Sequence, residues 1–317
     1  MALLKYILKK MLMLLPVLVG ISIVAFALGI MSPGDPVDQV LNPNGNESYT
    51  QAEYDAMAAK MGLDQPAVVQ YFNWVDGLVH GDLGRSFFTN KSVMDQLVKR
   101  IPISLKLAGF SMILTIVFGV GFGVLMAVKK DRLLDHVLGT FSTAALSVPG
   151  FWIAIVLIFL FAEQWKLLPS SGISGGSGFI LPAVTLALPS IGVCARLTRS
   201  AILDEIGRQY MTVADAKGMS RRHAVICHAF GNALIPIITY LGNHMAGIIG
   251  GASIVETIFA IPGIGSYAIV GVQSKDYYVV QAYVLFSGCI YVLTNILIDL
   301  IYIALDPKIR AGEAVES

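Results

Sequence analysis

Two polar side chains stand out because they lie deep inside a long apolar segment. Asn243 and His244 fall within residues 224–255, which contain no Lys, Arg, Asp or Glu. If a helix begins near Asn232, His244 lies roughly 18 Å along it, close to the centre of a bilayer of ~30 Å. Polar groups at that depth are costly and usually face a cavity. Neutral imidazole suits Ni(II), Cu(II), Zn(II) or Co(II), so His244 is a candidate metal ligand.

The same position has a plainer interpretation. A buried histidine can simply donate a hydrogen bond to a neighbouring helix, and one imidazole cannot complete a coordination sphere. Any metal contact at His244 would therefore be transient, or it would be made to a metal that arrives chelated.

Further polar groups occur in two other apolar segments. Asn295 and Asp299 are four residues apart and share a helix face. We expect Asn295 to line a cavity and Asp299 to pair with a basic residue or cap a helix. Glu256, at the outer end of the fifth apolar segment, is expected to contact a soluble partner or to line an outer gate.

The composition is that of a membrane protein. The chain has 317 residues, of which 56% are hydrophobic and only 14% charged, and its mean hydropathy is +0.72. Soluble domains carry roughly 25% charged residues. A net charge of +1 predicts no nucleic-acid partner, and the three scattered cysteines form no C-x-x-C spacing and indicate no disulfide framework.

The hydropathy pattern predicts an all-α polytopic bundle of about six transmembrane helices. The first segment is too long for a secretory signal and lacks an A-x-A cleavage site. The fourth helix is expected to start near Gly178 and the fifth near Asn232. The G-x-x-x-G pairs Gly119–Gly123 and Gly247–Gly251 would let helix backbones approach closely. The apolar segments are Met11–Met31, Leu107–Val128, Val137–Ala162, Leu167–Ala195, Ala224–Val255 and Tyr277–Ile298.

Lys and Arg are concentrated on one side of these segments. Fourteen Lys and Arg residues lie in segments 1–10, 129–138, 196–231 and 306–317, whereas the short loops on the other side offer only Lys166 and Lys275. Because cytoplasmic loops carry the excess of Lys and Arg, both termini are predicted to be cytoplasmic.

The long polar segment 32–101 is expected to form a small lobe on the outer surface. Thr50 and Glu53 have the spacing of a capping box, and Pro66 should begin a second helix. That helix would carry an apolar face made of Val68, Val69, Phe72, Val75 and Val79. The lobe could be a packing cap or a binding surface, and the residues leave both open.

The longest inner segment, Arg196–Asn232, is patterned rather than disordered. Two helical stretches, 201–208 and 212–217, precede a break at Gly218, and a further helix resumes at Ser220. A glycine elbow between short helices predicts a rigid projection that could push on a soluble protein. The alternative is a surface loop with no partner.

These motifs, in this order, resemble the permeases of bacterial ABC importers, specifically the B-type subunit of the dipeptide, oligopeptide and nickel family. The inner segment resembles the "EAA" loop of that family through Tyr210–Gly218 and Asn232–Pro236. The agreement extends over nearly the whole chain, and it includes Gly34–Pro36, Gly62–Pro66, Gly81–Gly84, Ile180–Pro182, Glu256–Phe259, Pro262–Gly265 and Asp276–Val280.

The resemblance implies that the loop around Gly218 docks into a cleft of a cytoplasmic ATPase. Small residues are needed there because a helix must fit closely into a groove. Asp215 stands where relatives usually carry a basic residue, and the Glu-Ala-Ala of the general motif becomes Thr212-Val-Ala214. The coupling contact would be made by Thr212, Ala214, Asp215, Ala216 and Gly218.

The resemblance also implies partners. They are a second homologous permease, two ATPase subunits, an extracytoplasmic substrate-binding protein and the surrounding lipid of a bacterial cytoplasmic membrane. The sequence has no G-x-x-x-x-G-K-[ST] loop, so no cofactor is expected on this chain, and ATP and Mg²⁺ should bind the ATPase subunits. No hydrolase or metalloprotease motif is present, so the chain is expected to be a transport subunit and not an enzyme.

The cargo predicted from His244 is nickel or a nickel chelate, because nickel permeases of the family resemble this chain in having histidine there, whereas peptide permeases more often have glutamine. Di- and oligopeptides are the alternative. A more distant alternative is an autonomous transporter or intramembrane enzyme, which would need inverted repeats or paired catalytic groups. The predicted divisions are 1–31, 32–101, a core 102–306 with coupling loop 196–231, and a tail 307–317.

Overall fold

The chain is described by a computed structural model that is almost entirely helical. The described residues are 2–31, 34–42, 45–46, 48–173, 175–211, 218, 223 and 229–305. Within these ranges the only strand-like pairing is an isolated bridge between Arg85 and Ser92. The all-α fold predicted from the sequence is confirmed.

Twelve α-helices follow one another along the described chain. The first six are α1 (Ala2–Ile30), α2 (Pro36–Leu41), α3 (Gln51–Met61), α4 (Ala67–Val79), α5 (Val93–Leu114) and α6 (Gly121–Val128). The others are α7 (Leu133–Ser147), α8 (Gly150–Leu157), α9 (Ile180–Ile206), α10 (Phe230–Ile258), α11 (Ile264–Gln273) and α12 (Tyr277–Leu305). A π-helical stretch, Thr115–Val120, joins α5 to α6, and another, Ile158–Gln164, extends α8.

The described helices include five that are long and apolar enough to cross a membrane, and one bent pair makes up to six. The predicted starts of the fourth and fifth spanning helices are confirmed, since a 3-10 turn begins at Gly176 and α10 begins at Phe230. The third segment, expected as one span over Val137–Ala162, is instead two helices bent by 103°. Pro149 causes the break, because it holds the preceding Val148 in an extended conformation, with φ −91° and ψ 127°.

The chain divides into two compact units, Met1–Ser104 with Pro262–Val292 and Leu105–Ile261 with Leu293–Ser317. In the second unit α9 is the central helix, because it contacts α6, α7, α8 and α10. Glycines make these contacts close. A Cβ on Gly123 would lie 2.4 Å from the Cβ of Thr198, and one on Gly192 would lie 2.5 Å from the carbonyl oxygen of Ser142.

The two predicted G-x-x-x-G pairs differ. Gly119 and Gly123 both face α9, since a Cβ on Gly119 would lie 2.7 Å from that of Cys194. This pair brings two helix backbones together, as predicted. Gly247 has no atom within 4 Å of an added Cβ, so the same role predicted for it is not seen among the described residues.

The first unit contains the lobe predicted between the first two spans. Its α3 begins at a capping box, in which Thr50 accepts from the Glu53 amide and Glu53 accepts from the Thr50 amide at 2.7 Å. The capping box and the helix after Pro66 are therefore confirmed. A buried cluster holds the end of the lobe against α5, α11 and α12, and its members are Leu83, Val93, Leu97, Ile264, Tyr267, Val279 and Ala282.

Candidate functional site

Helix α7 carries a stripe of polar side chains although it belongs to a candidate span. His136, Thr140, Thr143 and Ser147 follow one another at intervals of three or four residues, and all four are exposed. That spacing places them on one face of the helix. Polar side chains in a spanning helix face water or protein and not hydrocarbon, so this face should line an aqueous path.

Helix α9 forms the opposite wall of a groove beside this stripe. Arg196 and Ser200 lie on it, next to the apolar side chains of Val193 and Leu197. The cavity between the walls has a volume of about 1040 Å³. Among the described residues no carboxylate lies within ion-pair distance of Arg196. The groove therefore combines hydroxyl groups, one available cation and an apolar wall.

An ion pair fixes the first turn of α7 to α9 at the edge of this groove. Arg199 Nε donates to Asp135 Oδ1 at 2.7 Å, and its Nη2 donates to Oδ2 at 2.8 Å. The amide of Asp131 donates to the same carboxylate at 2.9 Å. Asp135 is only 4% exposed, so the pair is largely shielded from water on its acidic side. A bidentate pair of this kind sets both the distance and the orientation of the two helices.

None of these groove residues was among the candidates from the sequence. The signal was present, because His136, Thr140, Thr143 and Ser147 recur with a helical period. This signal was overlooked because segment 137–162 has no charged residue and is apolar on average. Average hydrophobicity does not show that the hydroxyl groups lie on one side of the helix.

His244, the predicted metal ligand, lies on α10 and stacks on Tyr240, with ring centroids 5.6 Å apart and planes at 5°. Tyr240 in turn donates a hydrogen bond to the carbonyl of Ser190 on α9. The Nε2 atom of His244 is buried and has no hydrogen-bond partner among the described residues. Those residues contain no group of three His, Cys, Asp or Glu side chains that could hold a metal.

The other predicted pathway residues lie apart from the groove. Asn243 is exposed on α10, and Asn295 is half-buried on α12. These two helices are neighbours, since a Cβ on Gly242 would lie 2.3 Å from Ile298. Glu256 is fully buried, so it would have to be uncovered before it could touch a soluble protein.

The predicted coupling segment is described only in part. Thr212, Ala214, Asp215 and Ala216 lie outside the described residues. Gly218 is described, and it occupies an exposed turn with φ +75°, a left-handed conformation that favours glycine. The elbow predicted at Gly218 therefore has the backbone geometry that a sharp turn requires.

A hydrogen-bonded clamp closes the two ends of this segment. The hydroxyl of Tyr210 donates to Glu205 Oε2 at 2.8 Å and accepts from Asn232 Nδ2 at 3.0 Å. Burial raises the pKa of Tyr210; the bond from Asn232 lowers it and the bond to Glu205 raises it, so the pKa stays above its usual value and the hydroxyl stays protonated. A buried cluster underlies the clamp and consists of Ala127, Ile202, Met211, Ala229, Ala233 and Ile237. The segment thus starts and ends on one packed base formed by α9 and α10.

Comparison with known families gives two matches that together span most of the chain. Residues 119–311 match the family described as binding-protein-dependent transport system inner membrane component. Residues 3–108 match its N-terminal membrane component.

Individual relatives agree over nearly their full lengths. The chain is 36% identical to a probable peptide ABC transporter permease of Sinorhizobium fredii, over 96% of this chain and 99% of the relative. It is 34% identical to the dipeptide transport system permease DppB of Escherichia coli, covering 97% and 99%. It is 33% identical to the glutathione transport system permease GsiC of Escherichia coli, covering 97% and 99%.

Among solved structures, the MetNI methionine ABC transporter in an inward-facing conformation resembles this fold. The TM-score is 0.56 at 18% identity, over 67% of this chain and 97% of the other. Together with the apolar helices, these matches identify a multi-pass inner-membrane transport subunit, not itself an enzyme, of a kind that works with an ATPase and a substrate-binding protein. The chain therefore belongs to the binding-protein-dependent inner membrane component family, as an ABC-importer permease of the peptide and nickel group.

Proposed function

We propose that this permease imports di- or oligopeptides and that the peptide passes along the groove between α7 and α9. The three relatives described above are named for peptide, dipeptide and glutathione transport. The groove supplies the observation that carries the proposal, because its walls match the chemistry of a short peptide.

A peptide offers amide groups, two charged termini and side chains of many kinds. The Thr140 hydroxyl can both donate and accept hydrogen bonds, and the Thr143 hydroxyl, which donates to the Gly139 carbonyl at 3.0 Å, can still accept from a peptide amide. Arg196 presents a guanidinium that can hold a terminal carboxylate through paired hydrogen bonds. The apolar surface of Leu146 and Val193 would tolerate different side chains without selecting one.

The size of the groove is consistent with such a cargo. Its volume of about 1040 Å³ is at the upper end of the ~300–1,000 Å³ of ligand sites. An open site of this size would hold a short peptide loosely, as a conduit must in order to release what it carries.

Nickel, predicted from His244, remains a second candidate. The observation in its favour is the buried Nε2 atom of His244, which is unpartnered among the described residues. Among the described residues, His244 belongs to no group of three His, Cys, Asp or Glu side chains. A bare ion would therefore be bound only weakly there. A chelated metal, whose other positions are already filled, would need only this one contact.

The proposed coupling starts at the segment around Gly218, with Thr212, Ala214, Asp215 and Ala216. This segment would dock on a cytoplasmic ATPase that binds ATP and Mg²⁺. Movement of the segment would pass through the clamp at Tyr210 to α9 and α10 together. Because α9 also carries Arg196, displacement of its inner end would reshape one wall of the groove.

The assembly we propose has this chain, a homologous permease, two ATPases and a binding protein, with both termini of this chain in the cytoplasm. The positive charge of segments 1–10 and 196–231 supports this orientation. It places the segment around Gly218 on the side where ATP is available.

The test is ATP hydrolysis and uptake by the complete importer in proteoliposomes. Dipeptides, tripeptides, Ni²⁺ and nickel–histidine would be supplied with the binding protein. We expect peptides to stimulate both activities and the permease alone to accumulate nothing. Stimulation by nickel species only, abolished in His244→Gln, would overturn the peptide proposal in favour of nickel.

Groove variants refine the test. Arg196→Gln should raise the KM for free-acid peptides and have little effect on C-terminally amidated peptides, while Arg196→Lys should retain most uptake. The matched control is Arg132→Gln, since Arg132 is exposed and does not line the groove. Equal KM values for Arg196→Gln and the control would remove Arg196 from the pathway.

A further inference from the structure

Helix α4 has two apolar stripes, and only one of them is covered. The first consists of Tyr71, Trp74 and Leu78, of which Trp74 is buried. The second runs beside it at helical spacing and consists of Val68, Phe72, Val75 and Val79. Val68 is 66% exposed, Phe72 64% and Val79 77%. Without a covering layer, this stripe would place a row of large apolar side chains in water.

The covered stripe shows where α4 sits relative to the first spanning helix. Ser22 Oγ on α1 is hydrogen-bonded to the hydroxyl of Tyr71 at 2.9 Å. Phe26, one turn further along α1, packs edge-on against Tyr71 at 5.3 Å and contacts Trp74 at 6.1 Å. Helix α4 therefore lies alongside α1 at the level of Ser22 to Phe26.

That level lies inside the hydrocarbon layer. The apolar part of α1, Leu12–Ile30, is 19 residues long. At ~1.5 Å per residue it is barely long enough to cross a hydrocarbon layer of ~30 Å, so nearly all of it is needed. Ser22 is eight residues from Ile30, which places it roughly 12 Å below that boundary. A helix packed there cannot stand clear of the membrane.

The chemistry of α4 fits this depth. Its uncovered stripe has no hydrogen-bonding group, while Gln70 and Asn73 lie on its other side and the exposed Asp76 lies at the border between the two. Tyr71 and Trp74 are the aromatic residues enriched at membrane interfaces. On the same side of α1, Val19 and Ile23 are also exposed, so the apolar surface continues from the spanning helix onto α4.

We infer that α4 is an interfacial helix whose Val68–Phe72–Val75–Val79 stripe is buried in lipid acyl chains of the leaflet at the C-terminal end of α1. The lobe is thus anchored in the bilayer beside the first span and does not rest on the headgroups. Helices of this type bind through the apolar area that they bury. Because the polar side of α4 carries no Lys or Arg, attachment should depend little on anionic lipid.

The experiment uses the complete importer in liposomes, with a fluorophore on a single cysteine. The native cysteines Cys194, Cys227 and Cys289 would first be replaced by serine. Phe72→Cys and Val68→Cys place the label on the stripe, and the matched control Asn73→Cys places it on the polar side. Quenchers would be phosphatidylcholine spin-labelled along the acyl chain and aqueous iodide.

We expect labels at 72 and 68 to be quenched severalfold more strongly by acyl-chain spin labels than the label at 73, which iodide should quench. Quenching by iodide at 72 as strong as at 73 would show that the stripe faces water. Protection of 72 and 68 from both quenchers would show a protein, such as the second permease, on the stripe. Either of these two results overturns the inference.

Discussion

Tyr210 and Asn232, at opposite ends of the coupling segment, are joined by a hydrogen bond of 3.0 Å. The bond makes the two helices that leave the segment, α9 and α10, share one base. In the proposed coupling mechanism, a force applied to the segment would therefore reach both helices and would not separate them.

Removal of the Tyr210 hydroxyl should weaken this delivery. Tyr210→Phe loses the bonds to both Glu205 and Asn232 and should cost about 1–3 kcal/mol locally, because Glu205 also loses a donor. We expect ATP hydrolysis to continue while peptide transported per ATP falls severalfold. Transport and hydrolysis measured in the same proteoliposomes give this ratio. Tyr291→Phe, on an exposed part of α12, is the control and should leave the ratio unchanged.

Substitutions of Gly218 should be tolerated according to how readily the new residue adopts a positive φ, and not according to its size alone. The φ of +75° at Gly218 is costly for an L-residue by roughly 1–2 kcal/mol, and least so for asparagine. Gly218→Val should uncouple ATP hydrolysis from uptake, whereas Gly218→Asn should keep a substantial part of the coupling. Transport per ATP for the two variants checks this, and equal, normal coupling in both would discredit the role assigned to the elbow.

Removal of one charge of the Asp135–Arg199 pair should destabilise the protein more than replacement of both side chains by apolar ones. Asp135→Asn leaves a half-buried guanidinium without its counter-ion and should lower stability by about 2 kcal/mol or more. Asp135→Leu combined with Arg199→Met removes both charges and should be milder. Unfolding temperatures of the purified importer in nanodiscs, measured for Asp135→Leu, Arg199→Met and the double variant as a double-mutant cycle, give the coupling between the two side chains. Additive losses would mean that the pair does not act as a unit.

The capping box of α3 should give the lobe a specific pH response. The bond from the Thr50 amide, followed by the Thr50 hydroxyl, lowers the pKa of Glu53 below its usual 4.5. Because the folded form holds the proton less tightly, this contribution is complete above the unfolded pKa and is lost as pH falls through the lowered one. The protection factors for hydrogen exchange in the first turn of α3, which are corrected for the intrinsic pH dependence of exchange, should therefore fall on acidification. In Glu53→Gln, which keeps a capping side chain without a titrating group, that step should be absent.

The sequence predicted the features that depend on local pattern. The capping box at Thr50, the helix after Pro66 and the six apolar segments need only neighbouring residues, so they could be predicted. The 103° bend was not expected, because a proline such as Pro149 gives the same sequence signal for a mild kink as for a turn of about a right angle. Close helix packing was predicted at both Gly119 and Gly247, and it is seen only at Gly119. The G-x-x-x-G spacing brings backbones together only where another helix lies opposite the glycines.

In the candidate site, too, features set by local sequence were predicted and features that depend on helix packing were not. His244 was predicted as a site because it is an isolated polar residue, whereas the groove was missed because it brings together residues far apart in the chain, such as Thr140 and Arg196. Thr140 and Arg196 have no significance separately. They acquire it because α9 packs beside α7 through Gly192 and the Asp135–Arg199 pair.

The close packing of α9 also bears on how importers of this family diversify. The face of α9 that meets Gly119 and Gly123 has no room for larger atoms, so larger side chains there would force the neighbouring helices apart. The face that carries Val193, Arg196 and Ser200 opens onto empty space and can accept new side chains at little structural cost. If the groove carries the cargo, as proposed, substitutions on one side of a single helix can change which nutrients are accepted while the fold that supports the groove is kept.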